Sequence, residues 1–431
     1  MKDTLIILCL LGDPTLPATS IKHTGGFQVD VQELLSTIDN PDCNVHIITN
    51  TSHYRKEYQE MYHSYTVHRV HFEDNWMSDQ NLLMKNFDSI KQDFFRILKQ
   101  IPADNGLIHS FYWLSGILAY EAYKNFSINY VHTTVSLSIG KELGGSSAYY
   151  DGQFEWEKIF LKNAKKVFTI TEIEKQHLLK YYDIPDSQLN VIGRGVHPVF
   201  EKPCRSRFGY PTELMVQEPI ELMRYKWWIQ GAFTYVGRIQ EIKGVNHIIS
   251  AWLKLYETYK ESMPPLWICG GTPENIELFR CELQQQLDFE RLQNAESDQK
   301  IVWWGYLDFA GLSTLFLKTK VLVTHSQYEP GGRVLLEAMA ASIPVIATPN
   351  GFGKDMIQNG KNGFLVNYSD VDDLAEKMEL FIQNPALSDT LGKNARQSYQ
   401  KQKESWKCYQ KQFKAYIKYG LNSFERSEIL Q

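Results

Sequence analysis

The stretch VLVTHSQYEPGGRVLLEAMAASIPVIA, residues 321–347, contains a short apolar run, a turn rich in Pro and Gly, a helical segment and a second apolar run. A run that is apolar throughout is typical of a parallel strand covered on both faces. Val321 to Thr324 and Val345 to Ala347 are therefore predicted to be parallel strands with a helix between them. The turn Pro330-Gly331-Gly332 then lies at the carboxyl end of a strand, where doubly wound sheets bind ligands.

The same pattern extends over most of the chain in two series of apolar runs, with helical stretches between them. The runs of the first series are Thr4 to Leu11, Val45 to Thr49, Gly106 to His109, Ile128 to His132, Val167 to Ile170 and Leu189 to Ile192; those of the second are Phe233 to Val236, Leu266 to Cys269, Ile301 to Trp304, Val321 to Thr324, Val345 to Ala347 and Gly363 to Val366. Each series specifies a doubly wound α/β sheet. We expect two domains, residues 1–200 and residues 201–405, with a linker near Val199 to Pro203.

Residues 406–431 are predicted to form an amphipathic closing helix. Its apolar face consists of Trp406, Tyr409, Phe413, Tyr416 and Ile417, and its other faces carry Lys407, Lys411, Lys414 and Lys418. A helix packed on the protein with a solvated lysine face explains this pattern. A contact with a membrane surface or an anionic acceptor is the alternative.

The composition is that of a globular protein that forms hydrophobic cores. Of the 431 residues, 43% are hydrophobic and 22% are charged, and the formal net charge is −5. These values exclude wholesale disorder and coiled coil, and they argue against a nucleic-acid partner held by a basic field. The six cysteines lie far apart, which indicates reduced thiols. No run approaches the roughly 18 apolar residues that cross a bilayer.

From these features we expect a soluble, cytoplasmic protein. Peripheral contact with the inner face of the membrane stays open, and the sequence fixes no oligomeric state. The common nucleotide, metal and serine-hydrolase motifs are absent, so no metal site is predicted. The acidic run Asp370-Val371-Asp372-Asp373 could suggest a metal-binding D-x-D, but an N-cap at Ser369 with acids on the helix dipole explains it.

The turn at residues 330–332 is the sharpest candidate for a site. Backbone amides at the start of the following helix, left uncovered by Gly331 and Gly332, suit a phosphate or a polar sugar. Glu329 stands at the mouth of this turn, and Glu337 lies two turns along the helix. The alternative is an ordinary helix start beside an exposed carboxylate.

Two further segments are weaker candidates. Gly237 and Arg238 directly follow the strand Phe233 to Val236, and Lys243 lies five residues later. The two cations could neutralise a diphosphate leaving group, or they could be surface charges in a loop. Gly25 and Gly26 follow the first strand and open a helix; they form either a backbone cradle for an acceptor or a plain turn.

Together these segments resemble the retaining family 4 glycosyltransferases of the GT-B fold over nearly the whole chain. Glu329 and Glu337 match the E-x7-E motif of that family, and Arg238 with Lys243 matches its diphosphate-binding pair. Gly25-Gly26 matches its acceptor loop. The segment IHSFYWLSG, residues 108–116, looks like the H-x-H-Y-W-x-S-G segment of the sucrose-phosphate synthase and inositol-phosphate glycosyltransferase branch.

The resemblance implies two Rossmann-like domains that face a cleft, the first for the acceptor and the second for a nucleotide sugar. It implies retaining, metal-independent transfer of a hexose or N-acetylhexosamine, with a UDP-sugar as the first candidate donor and no cofactor. The acceptor would be a hydroxyl of a small molecule, a glycan or a lipid-linked compound. By this resemblance, Glu337 would hold the ribose and Glu329 would hold the donor sugar. Arg238 and Lys243 would bind the diphosphate. The amides of Gly331, Gly332, Arg333, Val334 and Leu335 would contact phosphate and sugar, with Gly237 beside them.

The sequence departs from the pattern of this branch at two positions. The second histidine of H-x-H is Phe111, and the second histidine of the H-T-x-H segment is Val135. His109 remains and is a candidate catalytic residue, although a histidine at a strand end is more often structural. A nucleotide-sugar epimerase of the same architecture is the alternative enzyme. A catalytically idle scaffold that binds a sugar nucleotide or glycan is the alternative outside enzymes.

Overall fold

The computed structural model describes residues 3–15, 26–38, 43–50, 59–61, 65–73, 76, 79–102, 106–145, 150–201 and 231–419. The chain divides into two units, each built around one sheet. The first comprises Met1–Gly195 with Lys403–Gln431, and the second comprises Val196–Gln402. The segment predicted as a linker begins inside a short helix, Pro198–Glu201, and continues into residues that lie outside the described ones.

The first unit contains an eight-stranded sheet with the order β3-β4-β2-β1-β5-β6-β7-β8. Its strands are β1 Thr4–Leu8, β2 Asn44–Asn50, β3 Gln59–Met61, β4 Thr66–Val70, β5 Gly106–Phe111, β6 Asn129–Thr133, β7 Val167–Thr169 and β8 Leu189–Val191. Neighbouring strands are parallel except for β3, which pairs antiparallel with β4. The helices are α1 Gly26–Leu35, α2 Gln80–Lys85, α3 Phe87–Leu98, α4 Trp113–Phe126, α5 Ser138–Leu143, α6 Gln153–Asn163 and α7 Glu172–Tyr181.

The second unit contains a six-stranded parallel sheet with the order β11-β10-β9-β12-β13-β14. Its strands are β9 Ala232–Val236, β10 Leu266–Cys269, β11 Ile301–Gly305, β12 Thr319–Val323, β13 Val345–Ala347 and β14 Gly363–Leu365. Its helices are α8 Pro198–Glu201, α9 Val245–Tyr259, α10 Pro273–Gln286, α11 Phe289–Ser297, α12 Phe309–Phe316, α13 Arg333–Ala340, α14 Gly351–Met356 and α15 Val371–Gln383. The last helix, α16 Leu387–Tyr419, contributes to both units.

Every predicted apolar run overlaps a strand of the expected sheet, because strands covered on both faces must be apolar throughout. In each sheet the first strand lies inside the sheet. β1 lies between β2 and β5, and β9 lies between β10 and β12. The chain order reverses at these strands, so a crevice opens outside their carboxyl ends. The ends of β9 and β12 therefore form the edge at which the second unit is expected to bind a ligand.

Strands β3 and β4 were not predicted, because β3 is only three residues long and polar side chains interrupt the sequence of β4. Arg69 is almost fully buried, and its guanidinium pairs with the carboxylate of Asp13 and donates to Thr15 Oγ1 at 3.0 Å. The His68 ring nitrogen Nε2 lies 2.9 Å from His46 Nδ1 on β2. Buried charge is tolerated when it is paired and hydrogen-bonded, and these partners come from other strands and loops.

The N-cap prediction for α15 was wrong by one residue. The carboxylate of Asp370, not the hydroxyl of Ser369, accepts the Asp373 amide at 3.0 Å. Ser369 instead has a left-handed backbone, with φ of 69°, and its amide donates to His325 Nε2 at 3.0 Å. The acidic residues are still explained by capping and by the helix dipole. Within the described residues, no group of three or more His, Cys, Asp or Glu side chains could hold a metal ion.

Helix α16 begins at Leu387, well before the predicted start at Trp406. Trp406, Tyr409 and Phe413 are buried in the core of the first unit, whereas Lys407, Lys411 and Lys414 are exposed. The side chains of Tyr416, Ile417 and Lys418 lie outside the described ones. The apolar face is therefore covered by the core of the protein itself over the part that is described. A search of the described helices finds none long and apolar enough to span a membrane.

Candidate active site

Two glycines with left-handed backbones shape the turn between β12 and α13, one in the turn itself and one at the start of α14. Gly332 has φ of 46° and is the N-cap of α13, and a Cβ there would overlap the ring of Phe352. Gly351 also has φ of 46°, and a Cβ there would overlap the carbonyl oxygen of Glu329. That carbonyl accepts the Phe352 amide at 3.0 Å. The start of α14 thus holds the backbone of Glu329 in place.

The carboxylate of Glu329 contacts two groups that the sequence assigned to ligand binding. Its Oε2 lies 2.8 Å from Lys243 Nζ, and its Oε1 accepts the Gly332 amide at 3.2 Å. The Lys243 and Glu329 side chains are 16% and 25% exposed, respectively. The structure therefore brings together two candidates that lie far apart in the sequence, at the start of a helix and at the expected edge of the sheet.

The loop after β9 is held against the end of β12 by backbone contacts. Lys243 ends a short 3₁₀ helix that begins at Glu241, and Gly244 follows with φ of 64°. A Cβ on Gly244 would overlap the carbonyl oxygen of His325, so this close approach requires glycine. The Gln327 amide donates to the Ile242 carbonyl at 2.9 Å. These contacts fix the backbone that carries Lys243.

Arg238 and Gly237 lie at the carboxyl end of β9, on the same edge of the sheet. The Arg238 side chain is exposed, while its carbonyl accepts the Tyr235 hydroxyl at 2.7 Å. The Gly237 amide donates to the Cys269 carbonyl of β10 at 3.0 Å. The backbone is thus ordered by its neighbours, and the guanidinium faces solvent, where it is accessible to an anion.

Glu337 lies on α13 and is 4% exposed. Its Oε1 is 3.8 Å from Nη1 of Arg333, one helical turn earlier. Arg333 and Val334 are half-buried in the first turn of α13, and the Leu335 side chain is buried beneath it. The two glutamates of the motif therefore differ in environment: Glu329 is partly exposed at the turn, and Glu337 is enclosed beside an arginine.

A histidine that the sequence analysis did not single out supports this turn from behind. His325 is buried two residues after the end of β12. Its ring stacks on Tyr368 with ring centres 5.6 Å apart, and the ring of His247 meets it edge-on with ring centres 5.3 Å apart. Burial, together with the neighbouring His247, lowers the pKa of His325 to about 4, against the opposing effect of Asp370. The neutral ring accepts the Ser369 amide through Nε2 and so connects β12 to the start of α15. Its place between a strand and the Pro-Gly-Gly turn was the available signal.

The candidates in the first unit have a different setting. Gly25 lies outside the described residues, and Gly26 begins α1. His109 is buried on β5, where its Nε2 lies 2.8 Å from Thr133 Oγ1 and 3.3 Å from Tyr409 Oη. Burial lowers the pKa of His109 to about 3, and the charge of His132 adds to this effect. These are the contacts of a neutral core residue, and a catalytic role for His109 stays a prediction.

The two departures from the resembled motifs fall on the same place. Phe111 and Val135 both line one pocket near the carboxyl ends of β5 and β6, together with Ile170, Ile192 and Trp406. Asp30 also lines it and is paired with Arg194, with Oδ2 and Nη2 2.6 Å apart. Phe111 also stacks on His109, with ring centres 4.3 Å apart. At the two positions where the resembled motifs have histidines, this chain has the apolar side chains of Phe111 and Val135, which form an apolar wall of the pocket.

Family models match both halves of the chain. The model described as "Glycosyltransferase Family 4" matches residues 24–200, and the model described as "Glycosyl transferases group 1" matches residues 230–398. The second match includes Arg238, Lys243, Glu329 and Glu337. The first includes Gly25, Gly26 and His109.

Curated relatives and solved structures agree with these matches. The chain is 22% identical to mannosylfructose-phosphate synthase of Agrobacterium fabrum, over 84% of this chain and 79% of that protein. It is 24% identical to D-inositol 3-phosphate glycosyltransferase of Arthrobacter sp. (strain FB24), over 86% of this chain and 85% of that protein.

Among solved structures, sucrose-phosphate synthase from Thermosynechococcus elongatus superposes with a TM-score of 0.74 at 22% identity, covering 96% of this chain and 100% of that one. Anabaena Alr3699/HepE in complex with UDP and glucose superposes with a TM-score of 0.63 at 14% identity, covering 94% of this chain and 97% of that one. At this identity the superpositions establish the fold. With both halves matched by transferase models, the chain belongs to the glycosyltransferases of the GT-B fold, with a family 4 segment followed by a group 1 segment.

Proposed function

We propose that this glycosyltransferase moves a hexose or N-acetylhexosamine from a nucleotide-diphosphate sugar to a hydroxyl of a small-molecule, glycan or lipid-linked acceptor, with retention of configuration and without a metal. A UDP-sugar is the first candidate donor. The observation that carries the proposal is the meeting of Lys243 and Glu329 at the start of α13, with Nζ and Oε2 2.8 Å apart. This pairing supports the proposal, in which the cation of Lys243 holds the diphosphate and the carboxylate of Glu329 holds the sugar.

The leaving group determines which charges the site needs. When the bond between the anomeric carbon and the diphosphate oxygen breaks, negative charge grows on the diphosphate. In the proposal, Lys243, Arg238 and the amides at the start of α13 stabilise this charge, because fixed donors and a helix N-terminus favour an anion. These groups supply the positive charge that a metal ion supplies in other transferases.

The two glutamates hold neutral groups of the donor. Glu329, at the turn, accepts hydrogen bonds from hydroxyls of the donor sugar. These bonds strengthen as positive charge develops on the ring. Glu337, enclosed on α13, accepts hydrogen bonds from the ribose hydroxyls. Its contribution is similar in the ground state and the transition state.

Retention follows in the proposal from attack on the face that the diphosphate leaves. The acceptor oxygen forms its bond to the anomeric carbon as the diphosphate bond breaks, and the acceptor proton passes to the departing phosphate oxygen. This route needs no covalent nucleophile from the chain. In the proposal the first unit binds the acceptor, and Gly25 and Gly26 belong to the acceptor-binding loop.

The names of the relatives guide the choice of acceptors to test. Mannosylfructose-phosphate synthase and D-inositol 3-phosphate glycosyltransferase are named for phosphorylated sugars or polyols. The apolar wall at Phe111 and Val135 favours including uncharged acceptors with apolar groups in the same panel. Panels of nucleotide sugars are first ranked by thermal shift, and transfer is then measured with each acceptor class.

Product analysis separates the proposal from its alternatives. Acceptor-dependent formation of a glycoside supports a transferase, whereas release of an isomer or a free sugar without acceptor supports an epimerase. Tight nucleotide binding with no turnover of any donor supports an idle scaffold. Lys243→Ala is expected to abolish most transfer. Glu277→Ala removes an exposed carboxylate paired with Arg280 elsewhere in the same unit and serves as the control.

A further inference from the structure

The carboxylate of Glu329 occupies a position that is built for an anion. Its two oxygens bind the Lys243 ammonium at 2.8 Å and the Gly332 amide at 3.2 Å. An ammonium and the amide at the start of a helix are the donors that proteins use for phosphate oxygens. The proposed function assigns both donors to the diphosphate. The carboxylate of Glu329 therefore occupies the two donors, the Lys243 ammonium and the Gly332 amide, that the diphosphate needs.

We infer that Glu329 is a specificity-determining residue that disfavours a nucleoside diphosphate without a sugar. The inference rests on the proposed function. A diphosphate that enters the site must displace the carboxylate from Lys243 and Gly332. A nucleotide sugar offers sugar hydroxyls that donate hydrogen bonds to the displaced carboxylate, whereas the bare diphosphate offers none. Displacing the carboxylate therefore costs less free energy when the nucleotide sugar binds than when the nucleoside diphosphate released by the reaction binds.

The backbone geometry makes this competition efficient. The Glu329 carbonyl is held by the Phe352 amide at 3.0 Å, and the chain approaches Gly351 so closely that a Cβ would overlap it. The carboxylate therefore exchanges partners by side-chain rotation alone. A tethered group competes at a high effective concentration, since its ordering is already provided by the fold. The partial burial of both side chains limits screening by solvent.

Glu329→Gln also removes a negative charge near the site. The loss of that charge by itself would favour anion binding, even if the carboxylate did not compete for Lys243 and the Gly332 amide. Glu241 separates these two effects. It lies two residues before Lys243 in the same 3₁₀ helix and its side chain is exposed, so Glu241→Gln removes one negative charge from the same loop. This substitution leaves the contacts of Glu329 with Lys243 and Gly332 intact.

The experiment is calorimetric titration of the full chain with inorganic pyrophosphate and with UDP. Wild type, Glu329→Gln and Glu241→Gln are compared. The glutamine can still accept the Gly332 amide, and equal melting temperatures check that the fold is kept. We expect Glu329→Gln to bind pyrophosphate and UDP roughly 5- to 20-fold more tightly, as for the loss of a partly screened ion pair. Affinity for the UDP-sugar that is transferred fastest should stay equal or fall.

The outcomes distinguish this inference from the proposed function. If Glu329→Gln binds pyrophosphate and UDP no more tightly than wild type, or if Glu241→Gln gains as much, the competition is refuted, whereas sugar transfer by wild type still upholds the proposed function. If neither wild type nor Glu329→Gln binds UDP or pyrophosphate, the competition is refuted, and the proposed function is refuted as well when wild type transfers no sugar from any nucleotide sugar. Pyrophosphate carries no base and no sugar, so its result does not depend on which nucleotide the enzyme uses.

Discussion

Glu174 gives the first unit a stability that depends on pH. This residue lies in the first turn of α7 and is 4% exposed. Thr134 Oγ1 donates to its Oε2 at 2.9 Å, and its own amide donates to Thr171 Oγ1 at 3.1 Å. Burial raises the pKa of Glu174 to about 7, against the opposing effects of the Thr134 hydroxyl, the Ile170 amide and the charge of Arg194, while Glu157 adds to the rise.

The sign and size of the effect follow from linkage. The folded state holds the proton more tightly than the unfolded state, in which the ordinary pKa is 4.5. The stabilisation is therefore complete below pH 4.5 and is lost as the pH rises to about 7. A shift from 4.5 to about 7 corresponds to about 3 kcal/mol of unfolding free energy. The uncharged residue in Glu174→Gln keeps an acceptor for Thr134 and removes this titration.

The assay is hydrogen exchange of peptides from β6 and β7 at several pH values, corrected for the intrinsic exchange rate. Wild type should lose roughly 2 to 3 kcal/mol of protection between pH 5 and pH 8 through this group, while Glu174→Gln should lose much less. Burial also raises the pKa of Glu157, so only the difference between the two proteins is assigned to Glu174. Glu172→Gln, which alters an exposed carboxylate of the same helix, should behave as wild type. Identical pH profiles of wild type and Glu174→Gln would refute the reasoning.

Three further predictions concern the second unit. Gly244→Ala should lower the free energy of unfolding by roughly 2 to 4 kcal/mol and weaken donor binding, because an alanine is strained at this positive φ and its Cβ overlaps the His325 carbonyl. Gly360→Ala is the control, because this glycine has φ of 76° but open space around it. It should lower the free energy of unfolding by about 1 kcal/mol and leave donor affinity unchanged. Equal effects of the two substitutions in denaturation and donor titration would contradict this prediction. Glu337→Ala should raise the donor KM roughly 10- to 100-fold with a smaller change in kcat, and steady-state kinetics showing the opposite split would reject the ribose assignment. Transfer should continue in excess EDTA, and complete loss with rescue by manganese would count against the metal-independent proposal.

The strands of both sheets other than β3 and β4 were predictable, since their signal was local. β10 and β13 have the predicted bounds, because a short apolar run between turns leaves few alternatives. β4 escaped prediction, because the burial of Arg69 depends on Asp13, which lies 56 residues away. The cap of α15 was misassigned by one residue because the backbone at Ser369 is left-handed, and sequence alone does not reveal that conformation.

The candidate site was predictable as a set of motifs but not as an arrangement. Resemblance identified Glu329 and Lys243 separately, and only the fold brings them to 2.8 Å across 86 residues of sequence. The support from His325 depends on an amide of another element, at Ser369, and its place between a strand and the Pro-Gly-Gly turn was the only local signal. Phe111 and Val135 were recognised as departures, and their common pocket emerged only from the adjacent ends of β5 and β6.

One measurement tests the central claim most directly. It is time-resolved proton NMR of the anomeric signal during reaction of wild type with the preferred nucleotide sugar and acceptor, repeated with Lys243→Ala. The account predicts an acceptor-dependent glycoside whose first-formed anomer has the configuration of the donor, and little product from the variant. An inverted first product would contradict retention. Unchanged product formation by Lys243→Ala would contradict the assignment of the leaving-group site.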